Sequence, residues 1–305
     1  MTCFKPVTAY RTADGITFYE SRREESLYQI QIPCRQCIGC RLDKAQDWAT
    51  RCMHESKLHP QNCFITLTYA DEHLPEDNGL HHEHFQKFMK RLRKHFKGVQ
   101  ISYYMAGEYG TEGGRPHYHA LIFGVNFDFD KKAFNKGPSG HTNFTSVTLE
   151  KLWPFGIATI GPVTYDTCNY TARYIMEKHI GKGQEHFYEW FNPTTGKTYP
   201  RIAEYNKMST RPAIGMRFLD KFLGDVAWHD YVIIQGKKKP VPKAYLRKLK
   251  DSSDAKILDI REDIAMAKAD KARANWKDNT DERLKVKEIV TAARTKQTKY
   301  ARSLD

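Results

Sequence analysis

Three short stretches carry residue types that could do chemistry. In Arg115-Pro116-His117-Tyr118-His119-Ala120-Leu121-Ile122-Phe123-Gly124, two histidines stand two residues apart. Side chains alternate along a strand, so His117 and His119 share one face and Tyr118 takes the other. Upstream, Ile101–Glu108 also reads as a strand, and Tyr109-Gly110-Thr111-Glu112-Gly113-Gly114 between the two is turn chemistry. Pro116 suits the first position of a strand, where its missing N–H costs least. The pattern predicts an antiparallel hairpin that returns Glu108 to the two histidines. Two imidazoles and a carboxylate on one sheet face make a divalent-metal site with open positions. A lone His-x-His is equally an ordinary pair of surface or core histidines; the strand context and the carboxylate opposite favour the metal.

The second stretch is Asp166-Thr167-Cys168-Asn169-Tyr170-Thr171-Ala172-Arg173-Tyr174-Ile175-Met176-Glu177-Lys178. No Gly or Pro interrupts it, and Asp166 can cap a helix. Tyr170 and Tyr174 then lie one turn apart on one face, and Lys178 extends that face by another turn. Two phenols so placed are candidate nucleophiles; in isolation they would be an aromatic stripe packing a core.

The third is Pro33-Cys34-Arg35-Gln36-Cys37-Ile38-Gly39-Cys40, with Cys3 upstream. The C-x2-C-x2-C spacing lets thiolates converge on one ion, and Cys3 could complete a four-thiolate structural zinc site; Cys52 and His54 compete for that fourth place. Reduced thiols with no metal, or an iron–sulfur cluster, are the alternatives. Seven cysteines is an odd number, and clustering in a chain expected inside the cell favours metal over disulfides.

These stretches need a scaffold. Residues 41–58 read as an amphipathic helix through Ala45, Trp48, Ala49, Cys52 and Met53, ended by Pro60. Phe64–Tyr69 is a strand with Ile65, Leu67 and Tyr69 on one face and Thr66 and Thr68 on the other. Residues 81–97 form a second helix, with Phe85, Phe88, Met89, Leu92 and Phe96 as its apolar stripe and many Lys and Arg elsewhere. Val125–His141 reads as an exposed loop, Ser146–Trp153 as a short helix and Ile157–Val163 as a strand. Residues 181–207 give no clear motif. Met216–Leu223 reads as a helix, and Tyr231–Ile234 with Lys237–Tyr245 as a small strand and basic loop. From residue 251 on, 24 of 55 residues are charged, which predicts one or two mostly exposed helices.

With these residues in hand, the chain resembles the HUH (histidine–hydrophobe–histidine) endonucleases, and more narrowly the replication initiators of the microviruses, small single-stranded-DNA phages. The His117-Tyr118-His119 hairpin and the Tyr-x3-Tyr-x3-Lys helix carry the resemblance, in the family's order. Thr68-Tyr69-Ala70-Asp71 followed by Pro75 resembles the family's first motif, and Ser209-Thr210-Arg211-Pro212-Ala213-Ile214-Gly215 resembles a further block. The resemblance spans about residues 1–250. It implies an α+β fold in which a central antiparallel β-sheet carries the metal site and is flanked by helices. It implies a Mg2+ or Mn2+ ion held by Glu108, His117 and His119. It further implies Tyr170 and Tyr174 as alternating nucleophiles and Lys178 beside them as a phosphate partner. The activity implied is nicking and rejoining of single-stranded and supercoiled origin DNA through a 5′-phosphotyrosine link. That leaves a 3′-hydroxyl for rolling-circle replication, with a host helicase and DNA polymerase as partners. Thr66, Thr68, Arg115, Arg173 and Arg211 are candidate DNA contacts. An HUH transposase or plasmid-type initiator, or a non-catalytic nucleic-acid-binding protein, remains open.

Composition agrees with such a partner. The net charge is +13, and residues from 251 on contribute only +2 of it, so the excess sits in the first 250 residues and suits a polyanion. No apolar run approaches the ~18 residues of a membrane span, and the N-terminus lacks a signal pattern, so no membrane partner and a place in the bacterial host's cytoplasm are expected. The domain organisation expected is a Cys-rich segment plus helix at 1–60, an endonuclease core at 61–225, and a basic loop with a charged helical tail at 226–305.

Overall fold

The computed structural model describes residues 3–20, 23, 26–110, 114–136, 142–173 and 185–303. The chain divides into two compact units, one formed by residues 1–44 with 265–304 and the other by 45–264. In the first, β1 (Val7–Thr12), β2 (Gly15–Thr17) and β3 (Tyr28–Ile32) form an antiparallel sheet in the order β2-β1-β3. Helix α1 (Ile38–Ser56) begins here and continues into the second unit.

The second unit is α+β. Its seven-stranded sheet contains β4 (Asn62–Thr68), β5 (Ser102–Tyr109), β6 (Pro116–Phe123), β7 (Lys131–Lys136), β8 (Thr142–Ser146), β9 (Ala158–Gly161) and β12 (Tyr205–Met208). The order is β12-β5-β6-β4-β9-β8-β7, and the pairings are antiparallel. The helices α2 (His82–His95), α3 (Val147–Leu152) and α4 (Tyr165–Arg173) flank it. A hairpin of β10 (Glu189–Asn192) and β11 (Lys197–Pro200) lies outside the main sheet. Then follow α5 (Met216–Lys221), α6 (Leu223–Ala227), the hairpin β13 (Tyr231–Ile234) and β14 (Lys237–Pro240), α7 (Lys243–Lys250), α8 (Ala255–Ala274) and α9 (Asp281–Ser303).

Strand alternation sorts the sheet's two faces. Ile65 and Leu67 of β4, Met105 of β5 and Tyr118, Ala120 and Ile122 of β6 pack with the α2 stripe Phe85, Phe88, Met89 and Leu92 and with Leu149 and Leu152 of α3. On the other face, Tyr104, Leu121 and Phe123 pack under Ala45, Ala49 and Cys52 of α1 and Cys168 and Ala172 of α4. A third core gathers Leu219, Val226, Val232, Ile234, Tyr245, Leu249 and Ile257.

The differences from the sequence expectations have physical causes. The expected loop Val125–His141 contains β7, which is exposed along its length and so shows no apolar alternation; it is recruited by pairing to β8 at the sheet's edge. The unread stretch 181–207 contains β12, a short edge strand completed by β5. The three strands preceding Cys34 are likewise not marked by alternation.

The Ser209–Gly215 block has a structural use. Ser209 N–H donates to the Tyr103 carbonyl (2.9 Å) and Tyr103 N–H to Ser209 Oγ (3.1 Å), fixing the block beside β5. Arg51 Nε of α1 donates to the Ile214 carbonyl (3.0 Å), and Gly215 N–H donates to Glu55 Oε2 (2.8 Å). Gly215 has φ +78°, and a Cβ there would stand 2.4 Å from the Tyr245 hydroxyl, so only glycine fits. Buried Glu55 also accepts from Arg217 Nη2 (2.8 Å) and faces His59 Nε2 (3.2 Å). Burial alone would raise its pKa. His59, the Gly215 N–H and Arg217 outweigh burial and bring it down to about 2 from an ordinary 4.5.

A carboxyl depressed in the folded state contributes stability above its unfolded pKa and loses it as pH falls toward the folded one. Glu55→Gln is therefore expected to cost about 2 kcal/mol at pH 7, the full shift being discounted for Arg217's partial exposure. Urea titrations across pH should show wild type and variant converging between pH 4.5 and 2; a difference independent of pH over that window would refute the linkage.

Candidate functional site

The site forms because β5 and β6 pair in one register. Glu108 lies opposite His117, Ala106 opposite His119, and Gly107 opposite Tyr118. Strand β6 is paired on its other edge by β4, where Thr68 lies opposite His117 and Thr66 opposite His119. Glu108, His117, His119, Thr66 and Thr68 thus share the face that Leu121 and Phe123 bury under α1 and α4 farther along β6.

One carboxylate oxygen, Glu108 Oε1, meets both imidazoles. It accepts from His119 Nε2 at 2.8 Å and contacts His117 Nε2. The three ligand atoms lie within 4.8 Å of one another. Glu108 and His119 are 4% and 5% exposed, and His117 is half-buried. The second oxygen, Glu108 Oε2, is buried with no hydrogen-bond partner among the described residues. A buried carboxylate oxygen left this way is costly and calls for a partner of positive charge. Nitrogen, nitrogen and oxygen donors converging on that point fit a divalent cation.

The outer nitrogens are held from behind. His117 Nδ1 lies 3.1 Å from the Arg115 carbonyl, which requires a proton on Nδ1 and leaves Nε2 with its lone pair toward the site in the neutral ring. His119 Nδ1 lies 2.9 Å from Thr66 Oγ1. This is the arrangement by which outer partners orient imidazole ligands. Phe64 stacks on His119, with centroids 5.6 Å apart and planes 7° from parallel.

Charge follows from this packing. Burial raises the Glu108 pKa, but the charges and hydrogen bonds of His119 and His117 outweigh it, and the carboxyl lies below its ordinary range. Burial pushes His117 down, but its contact with Glu108 carries it above its ordinary value; His119, more deeply buried, is pushed below. Without a cation, the proton shared with Glu108 therefore belongs on His117.

Helix α4 brings Tyr170 to this group. Its ring stands 5.1 Å from the His119 ring at 76° and edges onto Phe64 at 6.3 Å, while 38% of the residue stays exposed. Tyr174 and Lys178 lie outside the described residues. Arg173 ends α4, half-buried. Arg115 is turned to the scaffold: its Nη1 donates to the Tyr69 carbonyl (2.8 Å) and its Nη2 pairs with Asp71. Arg211 is exposed in the turn before Pro212. Thr66 meets His119, a role that alternation hints at by placing it on one face, though only the register names its partner. Phe64 stacks on the same imidazole, yet an apolar strand residue carries no sequence signal for that role. Cys3, Cys34, Cys37 and Cys40 form a separate group with sulfurs within 4.8 Å, whereas the competitors are engaged elsewhere: Cys52 is buried in the α1–α4 core, and His54 meets the Tyr245 hydroxyl at 3.1 Å.

The family model for replication-associated proteins of the ORF2 type matches residues 62–179, the span from β4 through α4. Replication-associated protein VP4 of Bdellovibrio phage phiMH2K is 34% identical over 255 residues, covering 80% of this chain and 76% of that protein. Replication-associated protein ORF2 of Spiroplasma virus 4 is 37% identical over 198 residues, covering 58% and 61%. Replication-associated protein ORF4 of Chlamydia phage 1 is 31% identical over 159 residues, covering 50% and 40%. No solved structure matches the chain. The chain belongs to the microvirus-type family of phage replication-associated proteins.

Proposed function

We propose that this protein initiates rolling-circle replication by nicking origin DNA and later rejoining the ends through a tyrosine-linked intermediate. The observation that carries this reading is the buried Glu108 carboxylate facing both His117 and His119, with the Tyr170 ring against His119. The names of the related phage proteins support a role in replication.

Glu108, His117 and His119 would hold one divalent cation, Mg2+ or Mn2+, which when bound supplies Lewis-acid polarisation of a phosphoryl oxygen. Thr66 and the Arg115 carbonyl keep the two imidazoles turned toward that point. Tyr170 supplies the nucleophile. Its phenol, with an ordinary pKa near ~10, is a weak nucleophile at neutral pH and needs the scissile phosphate activated. In the step itself, the phenol oxygen bonds to phosphorus and gives up its proton. The bond from phosphorus to the preceding 3′ oxygen breaks, and that oxygen takes up a proton to leave as a 3′-hydroxyl. A host polymerase would extend that end behind a host helicase. The phosphotyrosine ester keeps the energy of the broken bond, so a later 3′-hydroxyl can displace it without ATP.

Tyr174, four residues on in sequence, is proposed as the second nucleophile, attacking the regenerated origin while Tyr170 is esterified, or the reverse. Lys178 is proposed to offset phosphate charge beside them. Of the candidate DNA contacts, Thr68, Arg173 and Arg211 are proposed to touch the strand; Arg115 would contribute through the β4 end it holds.

A His117→Ala/His119→Ala variant is expected to bind single-stranded origin DNA and yield no covalent adduct in Mn2+, read by denaturing gel; adduct at the wild-type rate would exclude this site. Thr66→Val should weaken Mn2+ binding about tenfold or more by freeing the His119 ring, with nicking restored at high Mn2+; unchanged affinity by titration calorimetry would deny Thr66 that role. Tyr170→Phe and Tyr174→Phe should each still form an adduct yet release few closed circles, and the double variant should form none. Efficient circle release by either single variant, or an adduct mapped by mass spectrometry to a tyrosine outside this pair, would break the two-nucleophile scheme.

A further inference from the structure

The nicking reading makes no use of the four cysteines near the start of the chain. We propose that Cys3, Cys34, Cys37 and Cys40 hold one structural Zn2+ ion as four thiolates. The sequence spacing alone suggests three of these ligands and leaves the fourth open; the fold brings Cys3, thirty-one residues from Cys34, into the same group.

The geometry is that of a single ion. Cys3 Sγ stands 3.6 Å from Cys34 Sγ and 3.9 Å from Cys37 Sγ. A tetrahedral ion with zinc–sulfur bonds of about 2.3 Å separates its sulfurs by ~3.8 Å. A disulfide would bring one pair to about 2.05 Å, and all seven cysteines are unbridged. A multi-iron cluster would need its thiolates farther apart than a single ion does.

The backbone is turned for thiolates. Cys34 N–H points at Cys3 Sγ, Cys37 N–H at Cys34 Sγ and Phe4 N–H at Cys37 Sγ, each at 3.3 Å. Arg35 takes a left-handed φ of 64° to make the turn between Cys34 and Cys37. Three of the four cysteines are buried, and among the described residues the cluster has only Phe4 and Cys34 as partly buried apolar neighbours. Four thiolates around Zn2+ carry a net charge of −2, and Lys5, Arg35, Arg41 and Lys44 are the basic residues of the same segments. With so little hydrocarbon around it, a metal is the natural staple for a short segment: site and fold form together. The role is structural because four protein ligands leave no open position.

The test uses the full chain purified under reducing conditions without chelator, with metal measured by mass spectrometry. About one zinc per chain is expected. It should be retained by His117→Ala/His119→Ala, which separates this site from the proposed catalytic one, and lost in Cys37→Ser and in Cys3→Ser. Should those cysteine variants misfold, wild-type protein gives an independent readout. Replacement by Co2+ should produce the strong thiolate-to-cobalt absorption of a tetrahedral four-sulfur site, and a mercurial reagent should release zinc as it titrates four thiols. Protein without zinc, zinc lost with the histidines instead of the cysteines, iron–sulfur absorption, or a disulfide among the four would each overturn the assignment.

Discussion

The register between β5 and β6 is the constraint on which the candidate site rests. Side chains on a strand alternate with period two, so a slip of one residue would turn His117 and His119 to the α2 face and bring Tyr118 to theirs. Burial on both faces prevents this. Tyr118, Ala120 and Ile122 fill the core under α2, while Leu121 and Phe123 fill the one under α1 and α4. Tyr118 is further tied by its hydroxyl, which accepts from His81 N–H (2.8 Å), donates to the His81 carbonyl (2.9 Å) and meets the Tyr69 hydroxyl at 3.1 Å. The hydrophobe between the two histidines is therefore the anchor that aims them.

That anchoring makes a costly arrangement tolerable. A carboxylate and an imidazole, each about 5% exposed or less, lose most of their hydration. Their mutual contact recovers part of it, and Glu108 Oε2 is left over. Either a proton on His117 or a cation at the convergence point supplies the missing positive charge, and the two compete for one place. On the proposed reading, metal binding therefore displaces a proton, and affinity should rise with pH until the imidazoles are neutral.

The hairpin and the faces of its residues are legible in the sequence because alternation, turn residues and aromatic content agree over 101–124. The amphipathic helices α1 and α2 are legible because their apolar residues recur at the helical period. What alternation does not carry is partnership. Thr66 and Thr68 can be placed on a face, but that Thr66 meets His119 depends on β4 lying beside β6, a long-range pairing with no local signature. Arg115, a candidate DNA contact by sequence, turns to the Tyr69 carbonyl and Asp71, and nothing in its immediate neighbours announces that. Edge strands β7 and β12 are polar or short, and their existence is decided by the strands they complete. The Ser209–Gly215 block is visible as a motif without a role; its role is to hold the end of α1 through Arg51 and Glu55.

The position of that block bears on access to the site. Along one face of β6 the environment changes from Phe123 and Leu121, fully covered by α1 and α4, to His119 and then to half-buried His117. Holding α1 at the covered end keeps water from the apolar half and leaves the histidine half as the part a ligand can reach. Tyr170 sits at the boundary: Cys168, Thr171 and Ala172 of the same helix are buried, yet Tyr170 is 38% exposed with its ring edge on His119. A long polymer cannot enter a closed cavity, so a nucleophile for DNA must stand at such a margin, fixed on its helix side and open on the other. The helix side is fixed because the buried residues of α4 pack on the sheet, so the phenol is held in place before a strand arrives and little ordering is left to the reacting complex.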